Sequence, residues 1–305
     1  MAFIELAAPP IAVADPAPAR TASAARAASA EARGERAARA VGSTAGHVVL
    51  TIVSLLSVLP VVWMYLTSLH SSSDAFDLNP FAALTGQNYA HVWNQIDVPL
   101  LFANTLGMAV GITLGQLVTS MLAAYAFARW RFRGQSVLFF LIIASWLVPF
   151  QVTMLPNYVL LSQLGMLNTI VGVIVPQLSS AYAVILLRQH FKSFPAELFD
   201  AAQIDGRGSW ATLWRVVVPN MAPSIAALGI LLFISSWNEY FWPFLVFRDP
   251  SKSVLQLAIQ PFLGTESLDY GALMAVSGLA CLPVLVVYLV FQRRVVNAFV
   301  RSGLK

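Results

Sequence analysis

Five long stretches of this sequence contain no Asp, Glu, Lys or Arg. They are residues 40–73, 98–128, 134–187, 216–238 and 270–292. An α-helix needs roughly 20 apolar residues to cross the hydrocarbon core of a bilayer, so each stretch can hold one crossing. The stretch 134–187 is long enough for two, and a polar, helix-breaking segment divides it. The apolar runs lack the period-two alternation of strands in a membrane barrel, so the crossings are predicted to be helices.

The sequence therefore predicts an all-α membrane protein with six transmembrane helices. We expect these helices at about 47–69, 101–127, 136–157, 169–189, 222–247 and 270–292. Charged residues make up only 10% of the chain, whereas a soluble protein carries about 25% to keep its surface in water. The single cysteine, Cys281, excludes an intramolecular disulfide framework and a cysteine metal cluster.

Basic residues are concentrated on one side of this predicted topology. Six crossings place the N-terminus, the second and fourth connections and the C-terminus on the same side, and these segments hold 16 of the 18 Lys and Arg residues. The other side has only Arg248 and Lys252. Because basic residues accumulate in cytoplasmic segments, both termini are predicted to be cytoplasmic.

Two regions of different composition divide the chain. Residues 1–45 are rich in Ala and Arg and lack the apolar core and cleavage site of a signal peptide, so we expect a disordered cytoplasmic tail. Residues 46–305 are predicted to form the six-helix domain. Along its second span, Gly107, Gly111 and Gly115 recur every four residues. This spacing predicts a face that another helix approaches closely, and a role in lining a solute path is the alternative.

The longest cytoplasmic connection, residues 190–221, has the pattern of two short helices. Pro195 suits the first turn of a helix, Glu197 lies near the positive end of its dipole, and Gly206 is a typical residue to end it. A second helix is predicted from Ser209, a favourable N-cap. Its apolar stripe consists of Trp210, Leu213, Trp214 and Val217. Two such helices predict a docking surface for another protein, and an interfacial helix on lipid headgroups is the alternative.

The spacing of residues in this loop resembles the EAA loop of ABC-importer permease subunits. That loop has the form Glu-Ala-Ala, three residues, Gly, nine residues, Ile, one residue, Leu-Pro. The corresponding residues here are Asp200, Ala201, Ala202, Gly206, Val216, Val218 and Pro219. Asp200 keeps the charge of the usual Glu, and the two valines keep the apolar character of Ile and Leu.

Shorter segments agree in order with the same family. Residues 125–129 (Tyr-Ala-Phe-Ala-Arg) end the second span, and residues 165–169 (Gly-Met-Leu-Asn-Thr) precede the fourth. Residues 237–240 (Trp-Asn-Glu-Tyr) lie in the fifth span, and Leu282 and Pro283 lie in the sixth. The chain resembles in particular the second, MalG-like permease subunit of the carbohydrate uptake-1 group, over roughly residues 47–305.

The resemblance implies a permease subunit of an ATP-driven importer for a sugar or sugar-like solute, in the bacterial inner membrane. Its implied partners are a second, MalF-like permease subunit, a dimer of subunits that binds ATP and magnesium, and an extracytoplasmic solute-binding protein. Membrane lipid surrounds it, and no nucleic acid is expected. Closure of the ATPase pair would push on the loop and turn the bundle from inward- to outward-facing. The residues expected to couple the loop to the ATPase are Glu197, Asp200, Ala201, Ala202, Asp205, Gly206 and Pro219.

Several catalytic and metal-binding patterns are absent from the sequence. It has no Gly-x4-Gly-Lys-Ser/Thr loop to hold ATP phosphates, no His-Glu-x-x-His motif and no cluster of cysteines. The four histidines are scattered over both sides of the predicted topology, so no metal site is expected. The chain is therefore predicted to be non-catalytic, with ATP hydrolysed by a separate partner.

Glu239 is the one charged side chain deep inside a predicted span. Carboxylates are costly at this depth and usually face a cavity or a partner. With Trp237, Asn238 and Tyr240 it forms a candidate translocation path, in which polar groups bind sugar hydroxyls and aromatic rings stack on the sugar. Two alternatives stay open. Glu239 makes a structural or interfacial contact, or it carries protons in a self-contained secondary transporter.

Permeases of this kind carry disaccharides, oligosaccharides, amino sugars and glycerol phosphates. An anionic phosphate would favour a cationic path, and no Lys or Arg lies in the middle of a predicted span. The sequence therefore favours a neutral sugar, with glycerol phosphate or an amino sugar as alternatives. A membrane enzyme is disfavoured because the predicted spans contain no paired acids and no nucleophile with a neighbouring base.

Overall fold

A computed structural model describes residues 44, 46–71, 84–249, 252–263 and 269–303 of the chain. All regular structure in these ranges is helical. The predicted tail lies outside them apart from Thr44. The chain divides into two compact units, Met1–Val62 and Trp63–Lys305. The described part of the first unit is the start of helix α1, where apolar side chains such as Leu55 are exposed.

Three helices are long and apolar enough to cross a membrane on their own. They are α1 (Gly46–Leu69), α3 (Val98–Arg129) and the first part of α13 (Tyr270–Gly303), and they cover the first, second and sixth predicted spans. A short helix, α2 (Gln87–Gln95), packs on α13. α3 begins where the Asp97 carboxylate accepts a hydrogen bond from the Leu100 N–H at 3.0 Å, a favourable N-terminal cap.

Of the other three predicted spans, the third and fourth are bent within their length, and the fifth begins after a bend. The remaining helices are α4 (Gln135–Leu147), α5 (Phe150–Gln163), α6 (Ile170–Ile174), α7 (Ala181–Lys192), α8 (Ala196–Ile204), α9 (Ser209–Thr212), α10 (Val218–Asn220), α11 (Ala222–Trp237) and α12 (Phe241–Val246). The bend is 95° between α4 and α5, 47° between α6 and α7, and 82° between the α9–α10 segment and α11. The described residues thus hold three to six candidate spans, and the count of six stays a prediction.

The expectation of one continuous helix over 136–157 is wrong. α4 ends at Leu147 and α5 begins at Phe150, because Pro149 has no N–H to continue the helical ladder. Its ring also disfavours a helical conformation of the preceding residue, and Val148 is extended, with ψ of 119°.

The expectations of one helix over 169–189 and one over 222–247 are also wrong, and prolines are again involved. Pro176 lies in a 3-10 turn after α6, and a new helix begins at Ala181, where the Ser180 hydroxyl accepts from the Ala183 N–H at 3.3 Å. In the fifth span, α11 ends at Trp237 and α12 begins at Phe241. Pro243 removes the hydrogen bond to the Glu239 carbonyl four residues earlier and crowds it, which accounts for a break at that position.

Polar side chains of α3 bind the backbone carbonyls that the break between α6 and α7 leaves free. In each hydrogen bond the α3 side chain donates and the carbonyl accepts. The pairs are Gln116 with Gln177 at 2.9 Å, Thr119 with Leu178 at 2.7 Å, and Ser120 with Ser180 at 3.3 Å. A buried carbonyl without a partner is costly in an apolar environment. The three α3 side chains therefore make this interruption compatible with the interior of a bundle.

α3 contributes to all three buried apolar clusters of the described residues. Near its end, Tyr125 packs with α7 and α11. In its middle, Ile112 packs with α6 and α12, and near its start Leu101 packs with α11 and α13. The predicted glycine face is closely approached at two of its three positions. Gly115 contacts Leu178, and a Cβ built on Gly111 would lie 2.8 Å from Ile174. At Gly107, no atom of the described residues lies within 4 Å of such a Cβ.

Candidate functional site

Helix α8 ends in a left-handed turn at Gly206, whose φ is +72°. The Gly206 N–H donates to the Gln203 carbonyl, and the Arg207 N–H donates to the Ala202 carbonyl, both at 2.9 Å. These are the two hydrogen bonds of a Schellman motif. Because an L-residue with a β-branched side chain is strongly disfavoured at positive φ, the backbone itself favours glycine here. Gly206 ends the first loop helix as the sequence predicts.

Phe199 attaches α8 to the end of α3. Its side chain is 9% exposed, and its ring lies 5.1 Å from the Phe194 ring and 6.3 Å from the Tyr125 ring. The Arg129 guanidinium lies over the same ring at 5.1 Å. Tyr125 also donates its hydroxyl to the Ser209 carbonyl at 3.2 Å, so the end of α3 holds both helices of the loop.

The sequence pattern did not single out Phe199. The only signal was the segment 125–129, which the family resemblance had already placed at the end of the second span. The structure shows why Tyr125 and Arg129 stand there: they are two of the residues on which the loop rests.

The predicted coupling residues are not all on one surface. Glu197, Asp200, Ala201 and Asp205 are exposed along α8, whereas Ala202 is 3% exposed and faces inward. Ile204, beside the turn, is 87% exposed. α8 and the turn after it therefore present three acidic side chains and two uncovered apolar ones, Leu198 and Ile204. Pro219 is exposed on the second loop helix, apart from this group.

The second loop helix consists of α9, a π-helical turn over Leu213–Val217 and α10. It begins at Ser209 as predicted, but Gly208 occupies the N-cap position and no side chain caps it, so the expected Ser209 cap is wrong. Pro219 has no N–H for the Arg215 carbonyl and crowds it, which accounts for the wider turn. Asn220 donates its side-chain amide to the Val216 carbonyl at 2.7 Å.

The predicted apolar stripe of this helix divides between two surfaces. Leu213 and Val217 are 1% and 0% exposed and belong to the cluster around Tyr125. Trp210 and Trp214 are 65% and 36% exposed, and their rings meet edge to face at 5.7 Å. Half of the stripe is therefore core, and half lies on the surface.

The break between α11 and α12 holds the four residues of the candidate translocation path. Trp237 is 0% exposed, and its indole N–H donates to the Ala280 carbonyl on α13 at 2.9 Å, which removes its ring from the candidate path. Asn238 is exposed and donates to the Ile234 carbonyl at 2.9 Å. Glu239 and Tyr240 are partly exposed, so these two and Asn238 remain as path candidates.

Glu239 binds the start of α12. Its carboxylate accepts a hydrogen bond from the Trp242 N–H at 3.2 Å, and a negative charge at a helix N-terminus is favourable. Trp242 is 0% exposed and donates its indole N–H to the Gly172 carbonyl of α6 at 3.3 Å. Two buried tryptophans thus fix the helices on either side of the break, and sequence reasoning identified neither contact.

The far end of α12 is tied to the turn that precedes α6. Asn168 adopts a positive φ of 61°. Its side-chain oxygen accepts from the Arg248 and Asp249 N–H groups at 3.3 Å, and its own N–H donates to the Val246 carbonyl at 2.8 Å. The 165–169 motif therefore orients α12, which carries the Glu239 hydrogen bond at its other end. Within the described ranges, no three His, Cys, Asp or Glu side chains come together as metal ligands.

Replacement of Glu239 by Gln is expected to leave solute uptake within a few-fold of wild type. The Gln side-chain oxygen still accepts from Trp242, so the cap persists without its charge. Glu239→Leu removes the acceptor and should cost about 1 kcal/mol of local stability. The measurement is labelled-solute uptake with each variant at matched abundance. Loss of uptake with Glu239→Gln but not with Glu239→Asp would show instead that the proton or the charge is required.

Comparison with known proteins identifies the family of this chain. Residues 116–301 match the family described as binding-protein-dependent transport system inner membrane component. The chain is 32% identical to the lactose transport system permease LacG of Rhizobium radiobacter, over 83% of this chain and 93% of that protein. It is 32% identical to the sn-glycerol-3-phosphate permease UgpE of Yersinia pestis over 84% and 95%. It is 29% identical to the diacetylchitobiose permease NgcG of Streptomyces coelicolor over 83% and 85%.

A solved structure shows the same fold. It is a chain of a bacterial ABC transporter involved in import of the acidic polysaccharide alginate. The similarity has a TM-score of 0.73 at 25% sequence identity, and it covers 83% of this chain and 96% of that chain. With the helices, the loop motif and these matches in agreement, the chain belongs to the family of binding-protein-dependent transport inner-membrane components, the permease subunits of ABC importers.

Proposed function

We propose that this chain forms half of the translocation path of an importer for a neutral sugar or a short oligosaccharide, in the bacterial inner membrane. A second permease subunit would complete the path, a pair of ATP-binding subunits would bind ATP and magnesium, and an extracytoplasmic protein would deliver the solute. The observation that carries the proposal is the α8 loop, an exposed acidic helix that is fixed to the bundle through Phe199.

The contacts of the loop support a role in transmitting force. A tether would have few contacts with the bundle, but α8 rests on α3 through Phe199 and Tyr125. The second loop helix leads into α11, and its buried residues Leu213 and Val217 pack in the same cluster as α3, α7 and α11. A push on α8 therefore acts on α3 and α11, which also pack together beside the break in the fifth span.

The charge at the break supports a neutral solute. The one ionisable carboxylate there is Glu239, and a carboxylate repels a phosphate group at close range. The relatives transport lactose, diacetylchitobiose and glycerol 3-phosphate by name. Of these classes, a sugar that offers hydroxyl groups suits Asn238, Glu239 and Tyr240 best, because an amide, a carboxylate and a phenol all bind hydroxyls.

Purified alone, the chain is expected to show no ATP hydrolysis above the background of a mock preparation. Hydrolysis and solute uptake should both appear when the ATP-binding subunits, the second permease subunit and the solute-binding protein are added in proteoliposomes. Uptake by the isolated chain that is driven by a proton or sodium gradient would overturn the importer assignment and establish a secondary transporter. If hydrolysis and uptake appear only with the partners, the ligand of the solute-binding protein encoded beside this chain would identify the solute.

An impermeant thiol reagent added to intact cells is expected to label a cysteine at position 87 and to leave one at position 205 unlabelled. The reason is the distribution of basic residues, which places both termini and the loop in the cytoplasm. Both variants are made with Cys281→Ser, and permeabilised cells serve as the control for reactivity. Labelling of position 205 with protection of position 87 would reverse the orientation.

A further inference from the structure

The two helices of the loop have opposite charge. α8 contains Glu197 and Asp200 and no basic residue, and Asp205 follows its last residue. From residue 206 to residue 238 the only charged side chains are Arg207 and Arg215, and both are exposed. The Arg207 guanidinium lies 3.9 Å from the Asp205 carboxylate, in a solvent-exposed pair that contributes little. An acidic helix is repelled by the anionic lipids of the cytoplasmic leaflet, whereas each basic residue near that surface gains attraction from them. The charges thus direct the two helices to different partners.

The direction of the second loop helix agrees with this division. The segment Ser209–Asn220 is bent by 82° from Ala222–Trp237, the apolar helix that forms most of the fifth span. Transmembrane helices tilt on average by about 20° from the bilayer normal. A segment nearly perpendicular to such a helix runs along the bilayer surface and not into the cytoplasm.

The exposed residues of the segment have the chemistry of that surface. Trp210 and Trp214 are the exposed half of its apolar stripe, and Arg215 lies beside them. Tryptophan is enriched at the level of the lipid headgroups, where its ring is partly buried and its N–H stays hydrated. The opposite face is held by Leu213 and Val217 in the core, so the two tryptophans are presented in a fixed direction.

We propose that the segment Ser209–Asn220 lies on the phospholipid headgroups of the cytoplasmic leaflet, with Trp210 and Trp214 inserted and Arg207 and Arg215 near the phosphates. α8 alone then faces the ATPase. This inference rests on the proposed function, because it requires the loop to be cytoplasmic. The bilayer acts as the support against which the segment is held, while α8 receives the push.

Spin labels at two positions test the proposal on the full chain with Cys281→Ser in phosphatidylglycerol nanodiscs. A label at Trp210→Cys is expected to collide more with lipid-soluble oxygen than with a water-soluble nickel chelate, and addition of the ATPase should not change the ratio. A label at Ile204→Cys, the matched control, should show the reverse ratio and become protected when the ATPase binds. A label at position 210 that is open to the chelate and becomes protected only by the ATPase would overturn the proposal.

A second measurement leaves both tryptophans in place. Brominated phosphatidylglycerol should quench part of the tryptophan fluorescence of the wild-type chain, and the change to be tested is Arg207→Gln with Arg215→Gln. It should reduce quenching in phosphatidylglycerol and have no effect in brominated phosphatidylcholine. Equal quenching of wild type and this variant in both lipids would contradict the role of the two arginines. Failure of the ATPase to protect position 204 would overturn the proposed function and leave the lipid contact intact.

Discussion

Replacement of Gly206 by valine is expected to abolish solute uptake while the amount of protein in the membrane stays normal. Valine at a φ of +72° is penalised by roughly 1–2 kcal/mol, because its Cβ crowds the following carbonyl. The surroundings add nothing to this penalty, since no atom of the described residues lies within 4 Å of a Cβ built at this position. The turn must therefore carry the strain or change shape, and either outcome misplaces α8 against the ATPase.

Two glycine variants separate backbone strain from side-chain size. Gly208 also has free space around it, but its φ is −68°, so Gly208→Val should retain far more uptake than Gly206→Val. Gly206→Asn should also retain activity, because asparagine tolerates the left-handed region.

Asp200→Ala should have a smaller effect on uptake than Gly206→Val, since one polar contact contributes about 1 kcal/mol. Membrane abundance, co-purification of the ATPase and labelled-sugar uptake are measured on the same cells. Wild-type uptake by Gly206→Val would show that the loop is only a tether.

Replacement of Phe199 by alanine is expected to detach α8 from the bundle. Truncation of a buried phenylalanine costs about 3–5 kcal/mol, and here the ring contacts with Tyr125 and Phe194 are lost together with the Arg129 contact. Opening of the loop should increase roughly 100-fold or more, since each 1.4 kcal/mol corresponds to a factor of ten. The readout is the rate of tryptic cleavage after Lys192 and Arg207 in detergent-solubilised protein, with solute uptake measured in parallel.

Phe132 provides a matched aromatic control for this experiment. It lies in the connection between α3 and α4 and is 40% exposed, so Phe132→Ala should change the cleavage rate little. In Phe199→Leu the leucine fills much of the same space, so its cleavage rate should lie between those of wild type and Phe199→Ala. Unchanged cleavage with Phe199→Ala would mean that the second loop helix and its hydrogen bond from Tyr125 hold the loop without this ring.

Helix positions and local turns could be predicted because their causes are close in sequence. The absence of charge over 98–128 is a property of that segment alone, and it predicted α3 to within a few residues. The left-handed turn at Gly206 likewise depends on residues within one turn of helix. The prolines are visible in the sequence too, but each of these spans is predicted as one helix because prolines are tolerated in membrane helices.

The breaks were missed because their stabilising partners are distant in sequence. Whether the helix near Pro176 bends or is interrupted depends on whether the carbonyls of Gln177 and Leu178 find donors, and these donors are Gln116 and Thr119 on another helix. The same holds for Trp242, whose partner Gly172 is 70 residues away. Leu198 and Phe199 are adjacent and both apolar, yet only Phe199 is buried, since burial is decided by the position of α3.

The internal hydrogen bonds at the break in the fifth span bear on how long a solute can stay there. Asn238 and Glu239 already bind the Ile234 carbonyl and the Trp242 N–H. A sugar hydroxyl that replaces either partner exchanges one hydrogen bond for another, so its net gain is small compared with a site of unpaired polar groups. In the proposed translocation path, this exchange predicts a low intrinsic affinity and a short residence time for the solute, which would favour release into the cell and leave selection to the proposed solute-binding protein.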